Sequence, residues 1–355
     1  MTITNKLHKM IDNKSKVYLM QLLSINEKMK GEVKMHCLRQ RIGGFVVLSM
    51  LVLFMTACVS EEENAASESD NNDNTDDEIR VVTTIAQIGE PLSVIGDEMV
   101  DVESLMGPSV DPHLYNPTQS DISTVEEADM IFYNGLDLEA NMVEVFEQIG
   151  KSKPVLAIGE TLPEDALLTD EEGAVDPHIW FDLNLWQQAL DAAVEELKAY
   201  APDYADQLEE NKQNYFEDMK EMKTESEKLA DIPDDQRVLV TAHDAFGYFG
   251  EMHDMEVVGL QGLSTEDEIG VSDVNETIEV IKAYEVPAIF VESSVNQDSI
   301  QAVIEGASNE GVEVELGGEL FSDAMGESGT EKGTYIGMYR HNVNTIYEAL
   351  SEGGA

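Results

Sequence analysis

Histidine is the scarce chemically useful side chain in this sequence, with seven in 355 residues against 72 acidic groups. Three of the seven fall just after predicted strands or in loops beside them, where α/β proteins assemble ligand sites. His113 stands in Asp111-Pro112-His113-Leu114-Tyr115-Asn116-Pro117-Thr118, and His178 in Asp176-Pro177-His178-Ile179-Trp180-Phe181-Asp182. His243 follows a strand in Val240-Thr241-Ala242-His243-Asp244-Ala245-Phe246. Proline fixes its own φ and biases the residue before it away from helix, so each Asp-Pro-His triplet presents its imidazole from a stiff loop. The Asp of each triplet could accept the second ring proton and set the tautomer for a metal ion. Taken alone, each of these histidines is more often a hydrogen-bonded structural residue than a metal ligand. Two triplets and a strand-end histidine together bring a metal centre into play, and spacing alone leaves both readings open. The carboxylate partner is open too. Glu292 in Phe290-Val291-Glu292-Ser293-Ser294 and Asp323 in Glu319-Leu320-Phe321-Ser322-Asp323-Ala324-Met325-Gly326 both stand at strand ends, where a helix cap or first-turn acid is the ordinary role. His253 in an acidic loop and His341 in the last helix read as structural, and His8 and His36 belong to the leader.

The elements that must position these residues alternate between strand and helix from Ile79 onward, which predicts an α/β protein with small parallel sheets. Predicted strands in the first half are Arg80–Ile85, Val100–Leu105, Met130–Tyr133 and Val155–Ile158, with helices at Ile88–Ile95, Ser120–Ala128 and Leu138–Gln148 between them. The second half repeats the plan with strands at Val238–Thr241, Val257–Leu260, Ala288–Val291 and Val312–Leu316. Its helices are Val271–Tyr284, Ser299–Asn309 and Thr334–Leu350. Between the halves, Leu183–Ala199 is an amphipathic helix, and Pro202 suits the first turn of a second one continuing from Asp203 to about Asp231. Its apolar positions are too irregular for coiled-coil heptads, so it reads as a strut joining two similar lobes. The domain plan is a leader at 1–57, a tether at 58–78, a first lobe at 79–201, a linking helix at 202–232 and a second lobe at 233–355. No phosphate-binding glycine loop opens any predicted helix.

Residues 1–41 are basic and lead into an apolar run of 14 residues from Ile42 to Met55, short for a membrane span of roughly 20 but suited to a signal peptide. Met29 or Met35 could be the true start of that leader. Met55-Thr56-Ala57-Cys58 resembles the lipobox of bacterial lipoproteins, in which the cysteine carries the lipid. Residues 59–78 then hold nine acidic residues and no basic ones, a composition that cannot build a core and reads as a solvated tether. The whole chain has a formal net charge of −51, which excludes ordinary nucleic-acid binding. Two cysteines supply neither a disulfide framework nor a cysteine-based zinc site. From Ile79 onward there are 60 acidic and 12 basic residues, and such self-repulsion points to a salt-rich habitat where screening relieves it.

The stretches Asp111–Thr118, Asp176–Asp182, Thr241–Phe249, Gly259–Thr265, Phe290–Ser294 and Gly317–Gly326, with Gly333–Asn342, resemble the manganese/zinc solute-binding lipoproteins of bacterial ABC transporters. The resemblance runs in order over essentially all of 79–352. It implies two lobes bridged by one long helix and a metal ion held in the cleft between them. It places the family's ligands on His113, His178 and Asp323, with His243 at the position that varies between His and Glu, and leaves Glu292 at most a supporting role. It implies Mn2+ or Zn2+ as transported ligand, an ABC permease and its ATPase as partners, a monomer, and a lipid-anchored location on the extracytoplasmic face of the cell membrane. Zinc members often carry a His-rich loop before the second ligand. Here Thr161–Val175 has acids and no histidine, which tilts the expectation to manganese. The alternative from another class is a secreted metallohydrolase, since three His and one Asp can activate water when a coordination position stays open.

Overall fold

The computed structural model describes residues 78–351. The leader, Cys58 and nearly all of the acidic tether lie outside the described residues.

The first half builds one sheet. Strands β1 (Ile79–Thr83), β2 (Val100–Ser104), β3 (Met130–Tyr133) and β4 (Val155–Ala157) pair in parallel in the order β2-β1-β3-β4. Parallel pairing requires crossovers, supplied by α1 (Ala86–Gly96), α2 (Gln119–Glu127) and α3 (Val143–Ile149). The inner strands β1 and β3 bury nearly every residue, as expected of strands covered on both faces. The predicted helix Leu138–Gln148 is shorter than expected. Leu136 and Asp137 take positive φ, and the buried Glu139 carboxylate accepts the amides of Asn134 and Gly135, so the chain turns before α3 begins.

Two helices carry the chain onward. Asp182 caps α4 (Leu183–Tyr200) by accepting the amides of Asn184 and Leu185, and the helix buries the stripe Leu183, Trp186, Leu190, Val194 and Leu197. Helix α5 (Ala205–Ser226) lies against α1, α4 and α9 (Tyr335–Ser351). The predicted unbroken helix to Asp231 is corrected here: α5 has 22 residues, about 33 Å at 1.5 Å per residue, between 3-10 turns at Pro202–Tyr204 and Glu227–Asp231. Ser226 turns its hydroxyl back onto the Lys223 carbonyl, and Pro233 keeps Ile232 extended, so the last turns tighten instead of continuing.

The second half departs from the expected repeat. Strands β5 (Val238–Thr241) and β6 (Glu256–Gly259) form one parallel pair, and β7 (Ala288–Glu292) and β8 (Glu315–Leu320) another, with β5 beside β7 but not bonded into one sheet. The connecting helices are α6 (Gly247–His253), α7 (Val271–Tyr284) and α8 (Asp298–Asn309). Strand β8 starts later than expected because Val312 donates its amide to Ala307 and finishes the α8 turn through Gly311 at positive φ. The register then skips Gly317 opposite Phe290, where any Cβ would meet the Phe290 ring at 2.6 Å.

A single apolar core runs from the first sheet through α4 and α5 to Phe246, Phe290, Leu320 and α9, while a second core fills the outer part of the second half. The two lobes therefore share an aromatic base. Phe181 stacks on Phe246 at 4.6 Å between ring centroids, and the hydroxyls of Tyr335 and Tyr339 donate to the carbonyls of Trp180 and Phe181.

Candidate metal centre

His243 and Asp323 sit just beyond the C-terminal ends of parallel strands, while His113 and His178 come from longer loops that follow strands of the first sheet. His113 lies between β2 and α2, His178 between β4 and α4, His243 follows β5, and Asp323 follows β8. One ligand atom from each lies within 4.8 Å of all the others, and all four residues are buried.

The convergence is through Nε2. His178 Nε2 is 3.3 Å from Asp323 Oδ1, and His243 Nε2 is 3.2 Å from Asp323 Oδ2. His113 Nε2 is 3.9 Å from Asp323 Oδ2 and 3.4 Å from His178 Nε2. Donors about 2.0–2.2 Å from a tetrahedral ion lie about 3.3–3.6 Å from one another, close to the separations among His178, His243 and Asp323, with His113 set slightly wider at 3.9 Å from Asp323. The hydrogen-bond inventory points the same way. Both Asp323 oxygens and His243 Nε2 are buried without a hydrogen-bond partner, a costly arrangement that a cation at their centre would relieve.

Supporting carboxylates turn the rings inward. Asp176 Oδ1 accepts both the His178 amide, at 2.9 Å, and Nδ1, at 2.7 Å. Glu292, at the end of β7, accepts the His243 amide at 2.9 Å, while its other oxygen sits 2.6 Å from His243 Nδ1, close but not aligned as a hydrogen bond. Two carboxylates thus face the outward nitrogens and leave Nε2 free for an ion. At His113 the expected pairing does not form. Asp111 Oδ1 accepts the amides of His113 and Leu114, and its Oδ2 accepts the Thr265 hydroxyl from the other lobe at 2.6 Å.

The charges respond to this packing. Burial pushes the His113 imidazole down to about 4. Burial works against the charged form of His178 as well, but Asp176 and Asp323 outweigh it and raise the ring to about 9. His243 moves well above its ordinary value because Glu292 and Asp323 overcome its burial, and the imidazoles hold the buried Asp323 carboxyl well below the carboxylate range. The neighbouring carboxylates thus favour the protonated forms of His178 and His243. Metal ligation needs neutral imidazoles, so binding of a divalent ion competes with those protons.

Several residues that hold the site are not singled out by the sequence: Gln87 lies outside the motif stretches, and Trp180, Gly259 and Asn342 lie inside them with no pattern that reveals their role. Gln87 of α1 and the Trp180 indole both donate to the Ser322 carbonyl, fixing the chain beside Asp323 from the first lobe. Asn342 of α9 grips Phe321 through both its amide and its carbonyl. Gly259 lets the His243 loop approach: a Cβ there would lie 2.5 Å from the Asp244 nitrogen. His253, bonded to the Tyr339 hydroxyl, and His341, bonded to the Glu319 carbonyl, lie outside the cluster.

Comparison with known proteins gives this arrangement a context. The family model for zinc-uptake complex component A, periplasmic, matches residues 81–349. The chain is 46% identical over 277 residues to the manganese-binding lipoprotein MntA of Bacillus subtilis, covering 78% of this chain and 90% of that protein. It is 40% identical over 316 residues to the zinc-binding protein TroA of Treponema pallidum, covering 88% of this chain and 99% of that protein. The solved structure of TroA superposes with a TM-score of 0.76 at 42% identity, over 78% of this chain and all of that one. Fe(III)-bound YtgA from Chlamydia trachomatis matches with a TM-score of 0.69 at 29% identity, over 77% of this chain and 98% of that one.

Proposed function

The chain belongs to the periplasmic zinc-uptake component A family, and from that premise we propose that it captures Mn2+ in preference to Zn2+ outside the cytoplasmic membrane and delivers it to an ABC permease driven by its ATPase. The observation that carries this reading is the buried convergence of His113, His178 and His243 on the unsatisfied Asp323 carboxylate. These four are the proposed ligands. Three neutral imidazoles and one carboxylate leave a bound divalent ion with a net charge of about +1, in a protein whose acidic surface attracts cations. The proposed lobes are 79–201 and 233–355, joined by 202–232.

Manganese is favoured by the MntA relative and by the absence of histidine from Thr161–Val175. The ligand set does not itself demand manganese, since imidazole-rich sites bind Zn2+ more tightly by intrinsic order. The ion is cargo in this reading, bound and released unchanged by a monomer that is not an enzyme. The hydrolase alternative gains nothing from the relatives, whose names describe metal-binding proteins. Cys58 is the proposed lipid attachment, in line with the lipoprotein name of the MntA relative, and the acidic segment after it would space the domain from the membrane. Among the described residues no helix is long and apolar enough to cross a membrane.

Purified protein stripped of metal and titrated with Mn2+ and Zn2+ in competition, at physiological salt, tests the proposal. One equivalent of exchangeable Mn2+ supports it. Zinc held alone, with Mn2+ unable to compete, moves the assignment to zinc uptake. No stoichiometric ion of either kind removes the site assignment.

A further inference from the structure

The four proposed ligands do not rest on equal supports. Asp176, beside His178, has its carbonyl bonded by the buried Tyr248 hydroxyl, and the Tyr335 and Tyr339 hydroxyls hold the carbonyls of Trp180 and Phe181 just beyond. Asp323 is fixed through Ser322 and Phe321 by Gln87, Trp180 and Asn342, all buried. His243 is anchored by Glu292 through its amide, inside the core of the second lobe. The His113 loop differs. Leu114, next to the ligand, is 50% exposed, and His113 keeps slightly more solvent contact than the other three. Within its own lobe the His113 carbonyl meets only a long bond from Asn141, at 3.5 Å. Across the cleft the loop is held, among the described hydrogen bonds, by Thr265 donating to Asp111 at 2.6 Å.

That bond is placed to control the loop. Asp111 uses one oxygen to shape the turn that presents His113 and the other to receive Thr265. Thr265 is buried, and its backbone is fixed separately by Gln261, which donates to the Thr265 carbonyl at 2.7 Å. Removing the hydroxyl would therefore unfasten the loop and leave the segment that carries it in place. The aromatic base keeps the lobes joined behind the site, so the His113 edge is where, among the described hydrogen bonds, a single one fastens the loop across the cleft.

We propose that the Thr265–Asp111 hydrogen bond is a latch that sets how long the ion stays in the site, by holding the His113 loop closed across the cleft. This rests on the metal-capture reading above. Thr265 is a positioning residue here: it does not touch the ion, and it acts on release through Asp111 and His113.

The test loads the purified protein with Mn2+, and in parallel with Zn2+, and follows release into excess chelator by stopped flow. Thr265→Val keeps the shape and loses the hydroxyl, and a hydrogen bond to a carboxylate of this kind corresponds to a release rate about tenfold faster or more. Thr265→Ser keeps the donor and should release at the wild-type rate. Because the bond forms without an ion, Thr265→Val should also melt a few degrees lower when metal-free, whereas Val303→Ala, destabilised in the second core away from the site, should release metal at the wild-type rate, which a merely structural role for Thr265 would not allow. A Val variant within twofold of wild type overturns the latch, as does a Ser variant as fast as Val, or a Val303→Ala protein that releases metal as fast as Thr265→Val. A wild-type protein that binds no stoichiometric ion overturns the metal-capture reading itself, and that failure is seen before any variant is compared.

Discussion

Proton release should accompany metal binding, and its size follows from the charges around the imidazoles. In the metal-free protein Asp176 and Asp323 raise His178 to about 9, and Glu292 and Asp323 raise His243 well above its ordinary value, each against the effect of burial. Burial lowers His113 to about 4, so it is already neutral at physiological pH. Binding at pH 7.5 must then expel protons from His178 and His243, about two per ion. Unperturbed imidazoles near 6.5 would be about nine-tenths neutral at that pH and would release almost none. Clearing the proton from His178 at pH 7 alone weakens apparent affinity about 100-fold, two pK units' worth. Affinity should accordingly rise at least about tenfold per pH unit between pH 6.5 and 8.5. The metal-free protein should show the opposite trend. A histidine raised in the folded state contributes stability that is fully present below its unfolded value near 6.5 and is lost as pH rises through about 9, here about 3 kcal/mol for the fully buried His178. Isothermal titration in buffers of different ionisation enthalpy counts the protons, and thermal melts across the same pH range read the stability. Fewer than about half a proton released at pH 7.5, together with a flat affinity profile, would refute the reasoning.

His113→Ala and Asp323→Ala should each lower metal affinity by orders of magnitude while the metal-free protein stays folded, as checked by titration and circular dichroism; unchanged binding curves for both would remove the site. Glu292→Gln should weaken binding about 10- to 100-fold without removing a ligand, because the His243 ring loses the anion that orients it. The melting temperature should climb by about 5 °C or more between dilute buffer and molar salt, since the Debye length shrinks from about 10 Å at 0.1 M to about 3 Å at 1 M and 60 acidic residues from Ile79 onward repel one another less. Equal stability in both would rule out the salt-rich-habitat reading.

Elements whose character is written in short-range pattern were legible before the fold was seen. Met130–Tyr133, Val238–Thr241 and Val271–Tyr284 match their predicted bounds, because a run of buried apolar residues or a helical stripe is a local property of the chain. The stiff loops carrying His113 and His178 are local too, since Asp-Pro restricts backbone angles without outside help. Where prediction slipped, a contact with neighbouring turns decided the outcome: the Ser226 hydroxyl and Pro233 tightened the end of α5, and Gly311 carried Val312 back onto α8.

The sequence by itself determined the α/β alternation, the acidic surface and the small set of residue types able to hold a metal ion, because these depend on composition and near neighbours. Composition and spacing left Asp323 and Glu292 both open as the carboxylate partner; the family resemblance pointed to Asp323, and the tertiary structure stands Asp323 among the imidazoles with Glu292 behind one of them. It also gave two identical Asp-Pro-His triplets different partners, with Asp176 on its own histidine and Asp111 on Thr265, 154 residues away. Gln87 reaches Ser322 across 235 residues. The hydrogen-bond partner of a buried group depends on which surfaces packing brings to within about 3 Å, and nothing in the spacing of the chain encodes that distance.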